Sequence, residues 1–132
     1  MSSFTKPVIL EILPNRNYRV YEGFSFYDTD DHNKLITVPV PKGFETNLAS
    51  IPRLLWSIFP PNGEYSKAAI VHDYMYRTPS AGFTKKEADK IFNVGMKVLD
   101  VATWRRKAVY AAVRVFGSHA YNKYRGKNIF GF

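Results

Sequence analysis

His72 and Asp73 close the apolar run Ala68-Ala69-Ile70-Val71 and are followed by Tyr74-Met75-Tyr76; Asp89 comes thirteen residues after Tyr76, inside Glu87-Ala88-Asp89-Lys90-Ile91-Phe92. These are the residue types that move protons. A neutral imidazole can take a proton from water, and a carboxylate bonded to it fixes its tautomer. Ionisable groups in an otherwise apolar stretch are costly to bury alone, so they must be paired, metal-bound or poised for chemistry.

The spacing says which of them can meet. On a helix, Ala68, Ala69, Val71, Met75 and Tyr76 share a broad apolar face, with His72 near its middle. Asp73 is turned roughly 100° further round and sits at the border of that face. Adjacent helical residues do not face each other, so Asp73 is badly placed to orient the His72 ring. The partner has to come from another element. Asp89 lies at the edge of the apolar stripe of the following helix, next to Phe92 and Met96, and the connection over residues 78–83 is short, with Pro79 and Gly82. Two helices so joined should be antiparallel neighbours, which would let His72 and Asp89 meet.

The elements that carry these residues read as an α+β fold in one domain over residues 1–132. The segments 8–13, 18–27 and 34–40, within 7–41, are rich in β-branched and aromatic residues. Residues 14–17 and 28–33 supply turns, so a three-stranded antiparallel meander is expected. Gly23 marks a bulge, and Pro39 and Pro41 deny ladder donors, so the third strand should end there or lie at an edge. An irregular loop follows over residues 42–63, with Pro52, Pro60 and Pro61 and a short turn or helix at residues 54–59; an ordered loop of this length is more often functional than accidental. The C-terminal half, 66–125, reads as three helices. The first runs from about Ser66 to Arg77. The second opens on a Thr84/Glu87 capping box and carries Ala88, Ile91, Phe92, Gly95, Met96 and Leu99 on one face. The third begins near Thr103 with Trp104, Ala108, Ala111, Ala112 and Val115 on its apolar side, where His119 also falls as a core histidine. Lys107, Arg114 and Arg125 lie on a different side, as a surface stripe.

Composition bounds the function. The chain has 132 residues, 45% hydrophobic and 23% charged, which is the balance of a folded globular protein. It has no cysteine, which excludes disulfides, thiolate zinc sites and cysteine nucleophiles. No apolar run reaches the length of a transmembrane helix, and residues 1–7 lack the apolar stretch of a signal peptide, so synthesis in a host cytoplasm is expected. The net charge of +8 is uneven: residues 98–132 hold seven Lys or Arg against the single acid Asp100. Arg105, Arg106, Lys107 and Arg114 are therefore candidate partner-binding residues, for nucleic acid, anionic lipid or an acidic protein, although no nucleic-acid-binding motif is visible. The same cations also suit a solvated helix face.

Other constellations are poorer. Asp28, Asp30, Asp31 and His32 lack the glycine and terminal acid of a calcium loop and read as a polar hairpin turn. Ser50 has no nucleophile-elbow glycines around it.

Residues 43–53 (Gly43-Phe44-Glu45-Thr46-Asn47-Leu48-Ala49-Ser50-Ile51-Pro52-Arg53), Trp56, the run from Ala68 to Arg77, and Glu87 to Phe92 occur in the order of a known pattern. Together with Trp104-Arg105-Arg106 and Val113-Arg114-Val115-Phe116-Gly117, they resemble the phage-encoded domain-of-unknown-function family numbered thirteen fifty-three, over roughly residues 35–120. The resemblance implies a bacteriophage or prophage origin and no settled activity. One departure is Asn47, where the family pattern has Asp. A looser likeness is to the His-Asp-x-x-Tyr helix of phospholipase A2, matched by His72, Asp73 and Tyr76, with Asp89 in place of the orienting aspartate. That likeness implies His72 as general base, Asp89 as its orienter, Tyr76 bracing the carboxylate, and Asp73 as ligand to a divalent cation such as calcium. Asn47 would add at most a neutral amide oxygen. The chain departs from that family in having no disulfides, no recognisable glycine-rich calcium loop and a much shorter helix connection.

Two expectations follow. One is an accessory hydrolase acting on an ester or amide, in lipid or cell-envelope material. The other is a non-catalytic tail or capsid-associated virion or assembly component, whose partners are other virion proteins and whose polar cluster pins two helices together, with the apolar tail Ile129-Phe130-Gly131-Phe132 tucked in or offered to a neighbour.

Overall fold

The computed structural model describes residues 3–4, 9–14, 17–29, 33–46, 66–123 and 125. The chain divides into two compact units, Met1–Asn47 and Leu48–Phe132. Among the described residues the first holds six strands and the second four α-helices, so the fold is α+β with antiparallel strands ahead of helices.

The strands are β1 (Ser3–Phe4), β2 (Leu10–Ile12), β3 (Tyr18–Val20), β4 (Phe24–Thr29), β5 (Leu35–Val40) and β6 (Glu45–Thr46). They form two antiparallel sheets, ordered β1-β4-β5 and β2-β3-β6. In the first, Phe24 pairs with Val40 and Phe26 with Val38, and all four side chains are buried on one face. Phe4 joins them, with its ring centroid 4.9 Å from that of Phe26. Thr37 and Pro39 alternate to the exposed side, and β5 is an edge strand, where the missing Pro39 donor is tolerated.

The single strand expected over residues 18–27 is instead two strands in different sheets. The change of partner falls at residues 21–23. There Gly23 lies so close to β5 that a Cβ would stand 3.1 Å from the Val40 carbonyl oxygen. The Val20 amide bonds to the Phe44 carbonyl at 2.9 Å, on a chain that has just turned through Gly43 at φ +89°. Gly23 therefore marks a hand-over between sheets rather than a bulge in one. Across β2-β3-β6, Arg19 faces Glu11 and Glu45 in register, at 3.1 and 3.5 Å.

The helical unit comprises α1 (Ser66–Arg77), α2 (Lys85–Val98), α3 (Thr103–Phe116) and α4 (Ser118–Lys123), with a 3-10 turn (Pro79–Ala81) between the first two. Buried residues ring α1, from Ala68 through Val71 to Met75 and Tyr76. A helix apolar on most of its circumference belongs in an interior. Gly82, at φ +82°, ends the 3-10 turn. The capping box of α2 is present, with the Glu87 amide donating to Thr84 Oγ1 at 3.1 Å and the Thr84 amide to Glu87 Oε1 at 2.9 Å. At its other end, Val101 and Asp100 amides bond to the Met96 and Lys97 carbonyls, with Asp100 left-handed at φ 60°. That is the Schellman arrangement, with an aspartate where glycine is usual.

Two expectations for the third helix are corrected. Its fully buried residues are Val109 and Val113, whereas Trp104 is 59% and Val115 67% exposed. Hydrophobic periodicity locates a stripe but does not say which neighbour covers it. The helix also breaks at Gly117, so His119 lies on α4 and is exposed, not a core histidine.

Gly117 has ordinary backbone angles, and space is what demands it. A Cβ there would stand against the Val113 carbonyl oxygen, 2.7 Å from the Tyr76 hydroxyl and 3.3 Å from Lys85 Cε. We expect Gly117→Ala to lower unfolding free energy by about 1–3 kcal/mol, the usual cost of overpacking. Urea denaturation checks it, with exposed Ser118→Ala as a near-neutral control; equal midpoints would show that the turn yields freely.

Candidate functional site

α1 and α2 meet at Asp89. The His72 ring lies 2.8 Å from it, Nε2 to Oδ1, with both side chains fully buried. The Tyr76 hydroxyl, one turn on from His72, donates to the same oxygen. The short connection and the facing apolar stripes of the two helices produce this meeting, as their phases require.

The other carboxylate oxygen is also occupied. Lys85 Nζ lies 2.9 Å and Arg114 NH1 3.0 Å from Oδ2. Lys85 is one turn before Asp89 on α2, the ordinary i,i+4 spacing. Its two remaining protons go to the Val113 and Arg114 carbonyls, at 2.8 and 3.1 Å. These lie in the last turn of α3, where unsatisfied carbonyls attract a cation. Asp89 thus accepts from four side chains on three helices, about the full capacity of a carboxylate.

Aromatic rings pack around this centre. Phe92 stacks on the His72 ring, centroids 4.5 Å apart, and the Tyr76 ring lies 4.1 Å from it. Tyr121 of α4 meets Tyr76 edge-on at 5.3 Å and donates its hydroxyl to the Phe83 carbonyl at 2.8 Å. Arg125 lies over the Tyr121 ring, 3.5 Å from its centroid, and donates to the carbonyls of Met75, at 2.9 Å, and Tyr76. It therefore caps the C-terminal turn of the helix that carries His72.

The electrostatics follow from these contacts. Burial works to raise the Asp89 pKa. The His72 hydrogen bond and charge, then the bonds from Tyr76 and Lys85, outweigh it and hold the carboxyl well below the usual carboxylate range. Burial, and then the bond to Asp89, push the Tyr76 hydroxyl far above the usual phenol range, so it stays a proton donor. An ionised carboxylate only accepts, so His72 Nε2 carries the proton of this bond.

The other candidate residues are placed differently. Asp73, expected at the border of the apolar face, is buried, and its Oδ2 lies 3.1 Å from Arg77 Nε. Asn47 lies outside the described residues, as do Asp30, Asp31, His32, Ser50, Trp56 and the apolar tail. Among the described residues no group of three metal-ligating side chains gathers. Calcium takes six to eight oxygens, and a carboxylate already joined to a guanidinium does not fit that role. Of the basic residues, Lys107 is exposed, Arg105 lies over the Trp104 ring with Cζ 5.2 Å from its centroid, and Arg106 reaches Asn93 Oδ1 at 3.4 Å. Arg114 and Arg125 turn inward, which corrects the reading of both as a surface stripe. Sequence reasoning also missed Lys85, although its spacing from Asp89 is a readable signal; the contacts of Tyr121 with Tyr76 and Phe83, and of Arg125 with the end of α1, gave none, because they lie far apart along the chain.

The pH dependence has a defined sign. A carboxyl held low in the folded state stabilises it above the unfolded value of about 3.9, and that support is lost as pH falls through the folded value. A phenol held high stabilises below about 10 and loses its effect as pH rises through the folded value. Thermal melts across pH should therefore fall at both extremes. Asp89→Asn should flatten the acid limb while costing about 3–5 kcal/mol near neutrality, because Lys85 and Arg114 lose their counter-charge. Tyr76→Phe should flatten the alkaline limb. An acid limb unchanged in the Asn variant would mean that Asp89 binds its proton equally well folded and unfolded.

The family described as "Protein of unknown function (DUF1353)" matches residues 18–113, a span that contains His72, Tyr76, Lys85 and Asp89. The chain is also similar to the Uncharacterized protein y4jT of Sinorhizobium fredii (strain NBRC 101917 / NGR234), 39% identical over 106 residues. That match takes in 79% of this chain and 30% of the relative, so the chain spans less than a third of the length of the relative it matches. No solved structure matches significantly. With the family pattern running through both helices of the Asp89 cluster and most of the third, the chain belongs to the DUF1353 family.

Proposed function

We propose that the chain is a phage- or prophage-encoded accessory hydrolase that cleaves an ester or amide, in lipid or cell-envelope material. The observation that carries the reading is the 2.8 Å contact between His72 and Asp89, with Tyr76 donating to the same oxygen. In this scheme Asp89 holds the Nε2–H tautomer, and His72 Nδ1 takes a proton from water as the water oxygen attacks the substrate carbonyl. The imidazolium then returns a proton to the leaving alcohol or amine as its bond to carbon breaks. Tyr76 keeps the carboxylate from rotating. Asp73 would serve as an electrostatic stabiliser, and to hold a cation it would have to exchange Arg77 for it.

A second reading, a virion or assembly component with no catalysis, is favoured by one specific observation. His72 and Asp89 are both fully buried and the carboxylate has no remaining acceptor capacity, the condition of a network that pins helices. It would be supported by recovery of the protein from washed particles at a fixed copy number.

The decisive variant is His72→Asn. The hydrolase reading expects loss of turnover by a factor on the order of 10³ or more on ester phospholipids or amide-linked envelope fragments, in a variant that keeps its circular dichroism spectrum and melts lower for want of a buried donor to Asp89. Retained turnover in the folded variant would remove His72 from catalysis. A soluble, folded wild-type protein without activity on either substrate class would leave the assembly reading standing.

A further inference from the structure

Helix α3 has two apolar sides. The inner one, Val109 and Val113, is fully buried. Roughly 180° away on the helix lie Trp104, Ala108, Ala111 and Val115. Trp104 and Val115 are 59% and 67% exposed, Ala111 is exposed and Ala108 half-buried. Their spacing of four, three and four residues is the a/d seam of helix-on-helix packing, carried through two repeats. The positions flanking such a seam decide which partner fits. In this register Lys107 and Arg114 occupy the two equivalent flanking positions on one side, seven residues apart, and Arg105 lies on the other.

We propose that the outward face of α3 is a docking ridge for an acidic amphipathic helix of a partner protein. The seam supplies the apolar contact, with the small Ala108 and Ala111 letting the partner backbone approach closely between Trp104 and Val115. Exposed Lys107, more than Arg114, whose guanidinium is joined to Asp89, calls for Glu or Asp at the facing position. Charge argues against a second copy, because an antiparallel pairing of two α3 helices would set Lys107 and Arg114 against the same residues of the other chain, in a protein of net charge +8. A membrane is a poorer occupant, because two alanines offer little apolar surface to insert. Nucleic acid is poorer still on a face whose centre is apolar and where Arg114 is already joined to Asp89.

The test uses the full chain and two synthetic three-heptad peptides with Leu at the seam, one with Glu and one with Lys at the flanking positions. The Glu peptide should bind at low ionic strength, shifting the amide resonances of residues 104–115, and the Lys peptide should not. Ala111→Glu should weaken binding by roughly tenfold or more, about 1.4 kcal/mol. Ala111 is exposed, so the variant should melt with the wild-type protein. Lys107→Glu should shift preference toward the Lys peptide. Several results would each overturn the proposal: equal binding of both peptides, binding untouched by Ala111→Glu, or no binding of the Glu peptide. So would sedimentation showing a dimer that Ala111→Glu disperses, or these residues engaging anionic vesicles or duplex DNA and not the peptide.

Discussion

The helical unit depends on one buried carboxylate. Asp89 has no access to water, so each of its lone pairs has to be met by protein. The four donors come from α1, α2 and α3: His72 and Tyr76 on one oxygen, Lys85 and Arg114 on the other. Apolar contacts alone would tolerate some sliding of these helices, because hydrophobic attraction has no direction. Hydrogen bonds to a single group do have direction, and a slip by one residue would rotate every donor away from it. The carboxylate thus sets the register at which the apolar stripes interlock. The arrangement is expensive to break at one partner, and that cost is the source of its specificity for one packing.

The same arrangement bears on chemistry. Two cations sit on one oxygen of Asp89, and the imidazole and phenol sit on the other, so the carboxylate is neutralised from one side and directional from the other. Held by Asp89, stacked on Phe92 and flanked by Tyr76, the His72 ring has one tautomer and little freedom to turn. A base that does not have to be ordered at the moment of reaction loses less in the transition state. The supports extend outward: Arg125 braces the carbonyl end of α1, and Tyr121 packs on Tyr76. A scaffold that pins helices and a scaffold that holds a base are the same object at this level. What separates them is whether a substrate can reach Nδ1.

Much of this was legible from residue spacing. The meeting of His72 and Asp89 follows from two helical phases and a connection too short to permit anything but a return. The capping box at Thr84 and Glu87 is local, and local motifs are read directly. What was not legible depends on pairing at a distance. Arg114 lies on a polar side of α3 and Arg125 just past the end of α4, and nothing in their neighbours announces that a carboxylate or a helix end waits for them on α2 or α1. The strand over residues 18–27 misled for a related reason: β-propensity is high on both sides of Gly23, while the change of sheet is dictated by how close Gly23 must come to Val40.

Helix α3 shows the limit of periodicity most plainly. Its sequence carries two apolar stripes, and the one with the larger residues, Trp104 and Val115, is the natural choice for the interior. The structure buries the smaller pair, Val109 and Val113, instead. The reason lies with Arg114, next to Val113: its guanidinium has to reach Asp89, and the carbonyls beside it have to receive Lys85. Those ionic ties fix the rotation of α3 about its own axis, and the valine pair turns inward with them. The Trp104–Val115 side is then carried outward as a consequence. A buried carboxylate on one helix thereby decides which face a second helix shows to its surroundings, and so where a partner could bind.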